Sequence, residues 1–301
     1  MFRRLILIAV AGMLAACTSS HANRTWTAEN LPAPTAGALT VMTFNIRYGT
    51  AKDGVNHWDN RKELCAARVR HFNPDVLGLQ EALAFQNDYL HDHCPGYTVI
   101  GVAREDGKLA GEFSTLMLRS ERFTVLDSGT FWLSETPDIA GSKSWDSSLP
   151  RIATWARVKD RKAGDRPLLV VNTHFDHKGN TTRKEAAKLI RHFIATRAAD
   201  AAVIVTGDFN SAPGTEQYRT LTEMGNDGME LSDAYADLHR ANPEQDEGTA
   251  HSYKDIPVTP RIDWILHSSA FSASSAVIDR YREGPLFPSD HFAVATVLNW
   301  K

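Results

Sequence analysis

The chain has 301 residues, 43% of them hydrophobic and 23% charged, with a formal net charge of -3. This balance excludes an intrinsically disordered chain, and the lack of internal repeats or sustained heptads excludes a solenoid or a coiled coil. Basic residues adjoin only as pairs, such as Arg61-Lys62, Arg161-Lys162 and Arg183-Lys184. That scatter argues against a surface built to hold long nucleic acid, so a nucleic-acid partner is not favoured.

The chain begins with Arg3-Arg4 and an apolar run from Leu5 to Leu14. Such a run is too short for a permanent membrane span. Leu14-Ala15-Ala16-Cys17 then resembles the lipobox of bacterial lipoproteins, in which the cysteine is lipidated and becomes the new amino terminus. Residues 1–17 are therefore expected to be a signal peptide, with Cys17 as the lipidation site and the membrane as a partner. By the same resemblance, Thr18 after the cysteine, rather than Asp, favours the outer membrane of the bacterial cell envelope. Loss of the leader removes two arginines and no acid, so the mature chain is more acidic still.

Residues 18–38 are rich in Ser, Thr, Asn and Ala and carry Pro32 and Pro34, which reads as a flexible tether. Residues 39–301 show no second linker and read as one catalytic domain. Strands are predicted at Leu39–Phe44, Val76–Leu79, Tyr97–Val102, Ser114–Leu118, Thr124–Phe131, Ile152–Val158, Leu168–Thr173, Ala202–Thr206, Arg261–Leu266 and Ala293–Leu298. Helical spacing appears at Trp58–Phe72, which stops before Asn73-Pro74, and at Leu83–His93, Thr182–Ala199 and Thr215–Glu223. Strands outnumber helices, and helices fall between strands. The expected fold is α/β, two packed β-sheets flanked by helices. Cys65 and Cys94 form an even pair, compatible with a disulfide in an oxidising compartment and equally with two buried thiols.

Short polar clusters end many of these runs. Asn45 closes the first strand and Gln80-Glu81 the second. Gly207-Asp208-Phe209-Asn210 follows a later one. Asp208 and Asn210 alternate to one side while Phe209 faces the core, so a carboxylate and an amide can orient a water and a phosphoryl oxygen. His174 and Asp176 alternate in the same way, and His174 is placed to hold a phosphate or protonate a leaving oxygen. Ser289-Asp290-His291 with Asp263 supplies an imidazole and a carboxylate to orient it. Hard divalent cations take oxygen ligands, which suits Glu81 and Asp290 with Asn45 beside them. Arg151, His177 and His251 are further substrate-contact candidates. Trp132 and Trp145 are candidates for apolar or sugar-stacking walls. Taken singly, most of these residues are as compatible with turns, caps or core positions. Together they form the set that metal-assisted phosphate ester hydrolysis needs.

In that order, over about residues 39 to 300, these motifs resemble the endonuclease/exonuclease/phosphatase family with its deoxyribonuclease I-like, four-layer fold. The resemblance implies that Asn45, Glu81 and Asp290 serve a metal site, that Asp208 activates the nucleophile, that Asn210 binds phosphate and that Asp263-His291 acts at the phosphate. His174 makes the chain similar to the two-histidine branch, with deoxyribonuclease I and the neutral sphingomyelinases. Phe131 to Pro137, Ser144-Trp145-Asp146 and Pro150-Arg151 look like a bacterial subgroup. The expectation is a Mg²⁺- or Mn²⁺-dependent phosphodiesterase acting on a small, sugar-linked or lipid-linked phosphate ester. A nuclease and a non-catalytic binding protein are the alternatives.

Overall fold

The computed structural model describes residues 29–198, 200–225, 228–239 and 247–301. Strand β1 (Leu39–Asn45) leads through helix α1 (Trp58–Phe72) into β2 (Val76–Gln80). The two strands pair in parallel, which a strand–helix–strand crossover permits. Helix α1 stops at Phe72 because Asn73 turns left-handed, with φ 43°, and Pro74 follows. Helix α2 (Ala84–His93) and strands β3 (Tyr97–Ile100) and β4 (Leu116–Arg119) complete this half.

The second half runs β5 (Phe123–Trp132), β6 (Ile152–Asp160), β7 (Arg166–His174), α3 (Asn180–Arg197) and β8 (Ala202–Asp208). It continues with α4 (Glu216–Thr222), β9 (Leu231–Asp233), α5 (Ala234–His239) and β10 (Asp263–Ser268). Strands β11 (Phe271–Asp279) and β12 (Ala293–Trp300) return to the first half. One sheet has the order β11-β12-β1-β2-β4-β3 and the other β5-β6-β7-β8-β10-β9. Strands β7 and β8 are the parallel pair of the second sheet, joined by α3.

Strands β1, β2 and β8 are buried along their whole length, which is why they read as apolar runs without alternation. Between the sheets lie Val41, Val76, Leu118, Val158, Val170 and Ile204. Helices α1 and α2 cover the outer face of the first sheet over Phe44, Cys65, Val69, Leu79 and Leu90. Helix α3 covers the second over Ile190, Ile194, Val205 and Phe209. The result is the expected four-layer sandwich.

Three elements lie outside the expected set. Strand β9 and helix α5 are too short to show a period. Strand β11 is an edge strand, rich in serine and bulged between Ala273 and Ser275. The tether expected over 18–38 is held against the domain in its described part. Thr35 Oγ1 donates to Asn299 Oδ1 at 2.9 Å, Arg122 donates to the carbonyls of Gly37 and Ala38, and Leu31 packs on the outer core. Residues 1–28, including the leader and Cys17, lie outside the described residues. Cys65 and Cys94 are free and buried, and burial pushes the Cys65 thiol up to about 12.

A buried polar bridge ties the sheets together. Gln80 Nε2 of β2 donates to Thr43 Oγ1 at 3.0 Å and to Asn172 Oδ1 of β7 at 2.7 Å. Asn172 Nδ2 donates to the carbonyls of Leu79 and Thr115 at 2.8 and 2.9 Å, and Thr206 Oγ1 of β8 donates to Asn172 Oδ1 at 3.0 Å. Gly78 lets them approach: a Cβ there would lie 2.2 Å from Thr206 Oγ1 and 2.6 Å from Asn172 Oδ1. Gly78→Ala is expected to cost about 3 kcal/mol, because both neighbours are fixed by other bonds. Urea unfolding measures this, and an unchanged midpoint would contradict the bridge.

Candidate active site

Strand register brings the separated motifs to one edge of the sandwich. Asn45 lies opposite Gln80 across β1–β2, His174 opposite Asp208 across β7–β8, and Asp263 opposite Asp208 across β8–β10. Ser289 Oγ donates to the Asn45 carbonyl at 2.6 Å, which docks the Ser289-Asp290-His291 loop on the end of β1. Just past three of these strands the chain turns through left-handed non-glycine residues. They are Arg47 (φ 57°), Glu81 (φ 60°) and Asn210 (φ 46°). Such conformations are uncommon for these residues and cluster at functional sites.

His291 Nδ1 lies 3.0 Å from Asp263 Oδ2, so that nitrogen carries its proton and Nε2 faces the centre, 3.9 Å from Asp208 Oδ2. Burial opposes the charged imidazolium, but Asp263, through charge and hydrogen bond, with Asp208 and Asp290, holds it well above its ordinary value. Asp208 Oδ1 accepts from the Asn210 backbone N–H at 2.9 Å, and Oδ2 accepts from Asn45 Nδ2 at 2.9 Å. Burial first, and then the charge of Asp263, raise the Asp208 carboxyl to about 7. A carboxylate poised there suits a general base at neutral pH.

His174 behaves in the opposite way. Burial, then the positive charges of Arg151 and Arg104, hold it well below its ordinary value, so it is neutral. Of its two expected roles, that state suits holding a phosphate through a hydrogen bond better than protonating the leaving oxygen. Asn210 Nδ2 donates to the Phe175 carbonyl at 3.0 Å and lies 3.1 Å from His174 Nε2. The same Nε2 lies 3.4 Å from Asp208 Oδ2, so this edge of the ring is held between an amide and a carboxyl.

Asn45 differs from the expected metal ligand. Its Nδ2 sits between Glu81 Oε1 (3.1 Å) and Asp208 Oδ2, and its Oδ1 accepts from the Arg47 backbone at 3.0 Å. Two carboxylates fix the amide orientation, so Asn45 is a donor that spaces Glu81 from Asp208. Glu81 and Asp290 remain the hard oxygen pair. Burial, then the charge of Glu81, raise Asp290. Burial, then again Glu81, push Glu112 up to about 6. Crowded carboxylates of this kind are relieved by a divalent cation, so these residues fit a metal. Asp208, Asp263 and His291 also offer ligand atoms within 4.8 Å of one another, but the His291–Asp263 hydrogen bond and the charge on the imidazolium disfavour a cation there.

Asp176 and His251 depart from the expected substrate contacts. The Asp176 carboxylate is buried and fully used. It accepts from the Ser148 hydroxyl (2.6 Å) and the N–H groups of Ser148 (3.1 Å), Lys178 (2.9 Å) and Gly179 (2.7 Å). It fixes the loop before β6 onto the start of α3. His251 is buried with its ring stacked on Phe292 at 4.0 Å, so it is a wall and not a contact. Arg151 is buried beside His174, its Nε 3.4 Å from Asp176. Trp132 is core, donating to the Arg104 carbonyl at 2.7 Å, whereas Trp145 is exposed. Sequence reading missed Arg47, Arg104 and Glu112. Arg47 lies 3.7 Å from Asp290, and Arg104 grips Glu112 with both terminal nitrogens at 2.6 and 2.8 Å. Arg104 and Glu112 stand in a glycine-bearing loop that looks like plain surface, and no spacing signal marks them.

Residues 42–291 match the Endonuclease/Exonuclease/phosphatase family over most of the chain. The chain belongs to that family. Among solved structures it resembles an endonuclease/exonuclease/phosphatase of Bacteroides vulgatus at 35% identity and TM-score 0.78, covering 88% of this chain and 99% of that one. A mannosyl-6-phosphatase of Bacteroides thetaiotaomicron is 31% identical with TM-score 0.76, over 87% of this chain and 100% of its own. Among curated relatives, Protein angel of Drosophila melanogaster is 25% identical over 93% of this chain and 87% of its own length. A CCR4-Not complex 3'-5'-exoribonuclease subunit of Coccidioides immitis is 22% identical over 85% of this chain, which spans 46% of that protein. Membership supports a hydrolase of phosphoesterase or nuclease-like type, and such enzymes generally depend on a divalent metal.

The His291–Asp263 pair sets a pH dependence. A histidine pKa raised on folding stabilises the fold fully below the unfolded value of about 6.5, and that stability is lost as pH rises through the folded value. Unfolding midpoints measured with chelator from about pH 6 to 9 are expected to fall in the wild type and to fall less in Asp263→Asn. Parallel slopes would remove the pair as the cause.

Proposed function

We propose that this protein is a Mg²⁺-dependent phosphoesterase, with Mn²⁺ able to substitute, acting at the cell envelope on a small, sugar-linked or lipid-linked phosphate. Cys17 would be its lipid anchor, with the outer membrane as its place. The reading is carried by the meeting of a carboxyl tuned to about 7, Asp208, with a protonated imidazole, His291, at one strand edge. Likeness to a mannosyl-6-phosphatase favours a sugar phosphate and turns the preference from the expected diester towards a monoester.

A divalent cation held by Glu81 and Asp290 would neutralise charge on the phosphoryl oxygens. Asp208 takes the proton of the attacking water, with its oxygen set by Asn45. His291 Nε2–H donates to a phosphoryl oxygen as charge grows, and Asp263 holds the ring in the donating tautomer. Asn210 fixes the neutral His174 as a further wall of the site. The complete set argues against a non-catalytic binding protein.

A second reading, an envelope nuclease, draws on the likeness to an exoribonuclease subunit. Phosphate-backbone binding would make its activity fall steeply with salt.

The test assays the chain without its leader against aryl phosphomonoester, aryl phosphodiester, sugar phosphates, RNA, DNA and phospholipid, with and without EDTA. EDTA-sensitive hydrolysis of a sugar phosphate or a lipid supports the proposal. Cleavage of nucleic acid alone replaces it with the nuclease. His291→Ala is expected to lose roughly 10²-fold or more in turnover, and an unchanged rate removes His291 from the mechanism.

A further inference from the structure

Ser144-Trp145-Asp146 stands in the loop between β5 and β6, and the mechanism above makes no use of it. Both neighbours of Trp145 are pinned. Asp146 caps helix α3: its Oδ1 accepts from the Thr182 backbone at 2.7 Å and the Thr182 hydroxyl at 2.8 Å, and its Oδ2 from the Thr181 backbone at 3.1 Å. Ser144 Oγ accepts from the Glu135 backbone at 2.9 Å. Further along the loop, Ser148 donates its N–H and its hydroxyl to Asp176, just past His174. Gly179 lets the loop come close, since a Cβ there would lie 2.6 Å from the Asp146 carbonyl oxygen. Helix α3 starts shortly after β7 ends on His174. These bonds therefore hold Trp145 on the edge of the sandwich that carries the site, on its His174 side.

Between the two pins Trp145 takes a left-handed backbone, with φ 54°. That conformation is a marked outlier for a bulky residue and free of cost for glycine, so the turn does not explain the indole. Packing against other rings does not explain it either. Trp58, Trp132, Trp155 and Trp264 are buried, and Trp300 packs on Phe271 beneath Arg166. Trp145 is 37% exposed. Among the described residues no ring stacks on its indole, no cation lies over it and no group accepts from its Nε1–H. Leu149 of the same loop is exposed, and so are His177 and Lys178 on the turn that Asp176 holds. A rigid apolar ring with polar groups beside it suits a sugar, whose C–H face lies on the indole while its hydroxyls reach the polar rim.

We propose that Trp145 is a specificity-determining residue, the platform for the sugar ring of a sugar phosphate whose phosphate lies at Asp208 and His291. The proposal rests on the phosphoesterase reading for the place of the phosphate, and it selects the sugar-linked substrate over the lipid-linked one. The sugar then extends from the phosphorus past His174 towards the β5–β6 loop, away from β10.

The test compares kcat/KM for mannose 6-phosphate and for glycerol 3-phosphate, which is also the ester of a primary alcohol but has no ring. It uses the full chain as wild type, Trp145→Ala and Trp145→Phe, each checked for a wild-type melt. Trp145→Ala is expected to lose at least about tenfold on the sugar phosphate, mostly through KM, and to stay within about twofold on glycerol phosphate. Trp145→Phe keeps a ring in the same turn and is expected to recover most of the loss. Equal losses on both esters, or none on either, would make Trp145 a structural part of its loop and overturn the platform. A dependence on Trp145 seen with nucleotides and not with the sugar phosphate would overturn the sugar and favour the nuclease.

A second arm needs no turnover. Mannose 6-phosphate with Mg²⁺ is titrated into His291→Ala and into the double variant with Trp145→Phe, and indole fluorescence is read. A saturable change that the double variant loses supports the platform, and its persistence there or its absence from both overturns it. If the wild type hydrolyses neither ester, the proposed function fails while this titration still decides whether Trp145 holds a sugar.

Discussion

The approach of the two sheets through Gly78, Gln80, Asn172 and Thr206 is the constraint on which the rest depends. Two sheets held by apolar contact alone can slide, since such contact is not directional. Here Asn172 uses both amide hydrogens on the carbonyls of Leu79 in β2 and of Thr115 just before β4, and its oxygen on Gln80 and Thr206. The bridge is buried and complete at that residue, so a displaced sheet would strand several polar groups at once. It lies just inside the edge where Asn45, Glu81, His174 and Asp208 emerge. Locking the parallel pairs β1–β2 and β7–β8 there fixes the two halves of the site against each other.

The same residue type does opposite work on either side of Asp208. His291 is buried but surrounded by Asp263, Asp208 and Asp290, and it keeps its proton. His174 is buried beside Arg151 and Arg104, and it loses its charge. Burial alone would neutralise both, so the neighbouring charges make the difference. The result is a donor of charge-assisted hydrogen bonds facing a neutral ring, with a carboxyl between them raised to about 7. That gradient runs from the Asp263 side of Asp208 to the Arg151 side.

Much of this was legible in the chain. Strand-like runs closing on Asn45, Glu81, His174 and Asp208 foretold both the sheets and the edge, because a strand buried on both faces is written in consecutive apolar residues. What was hidden depends on side-chain direction across the sandwich. Alternation put His174 and Asp176 on one side, yet the turn between β7 and α3 spends Asp176 on Ser148, Lys178 and Gly179. The polarity of His251 gave no hint that it stacks on Phe292. Asn45 lies where a metal ligand was expected, but whether an amide offers its oxygen or its nitrogen is decided by partners distant in sequence. Arg104 and Glu112 pair over eight residues within a loop, and only the fold shows that they face His174.

The left-handed turns at Arg47, Glu81 and Asn210 add to the rigidity of the site. Each such residue costs of order 1–3 kcal/mol and persists only where its surroundings over-determine it. The surroundings do so here. Arg61, wholly buried, donates to the carbonyls of Asn56, Ile46, Pro288 and Arg47, and so staples the turn after β1 to the Asp290 loop. The Glu81 carboxylate accepts from Asn45 and from the Tyr48 backbone at 3.1 Å, and the Asn210 backbone donates to Asp208. Each turn is thus held by a bond that reaches another strand end or anchors its own. Strain stored in this way favours side chains already placed for their task over side chains that must be gathered when substrate arrives, and it places the cost of ordering the site in folding instead of in each turnover.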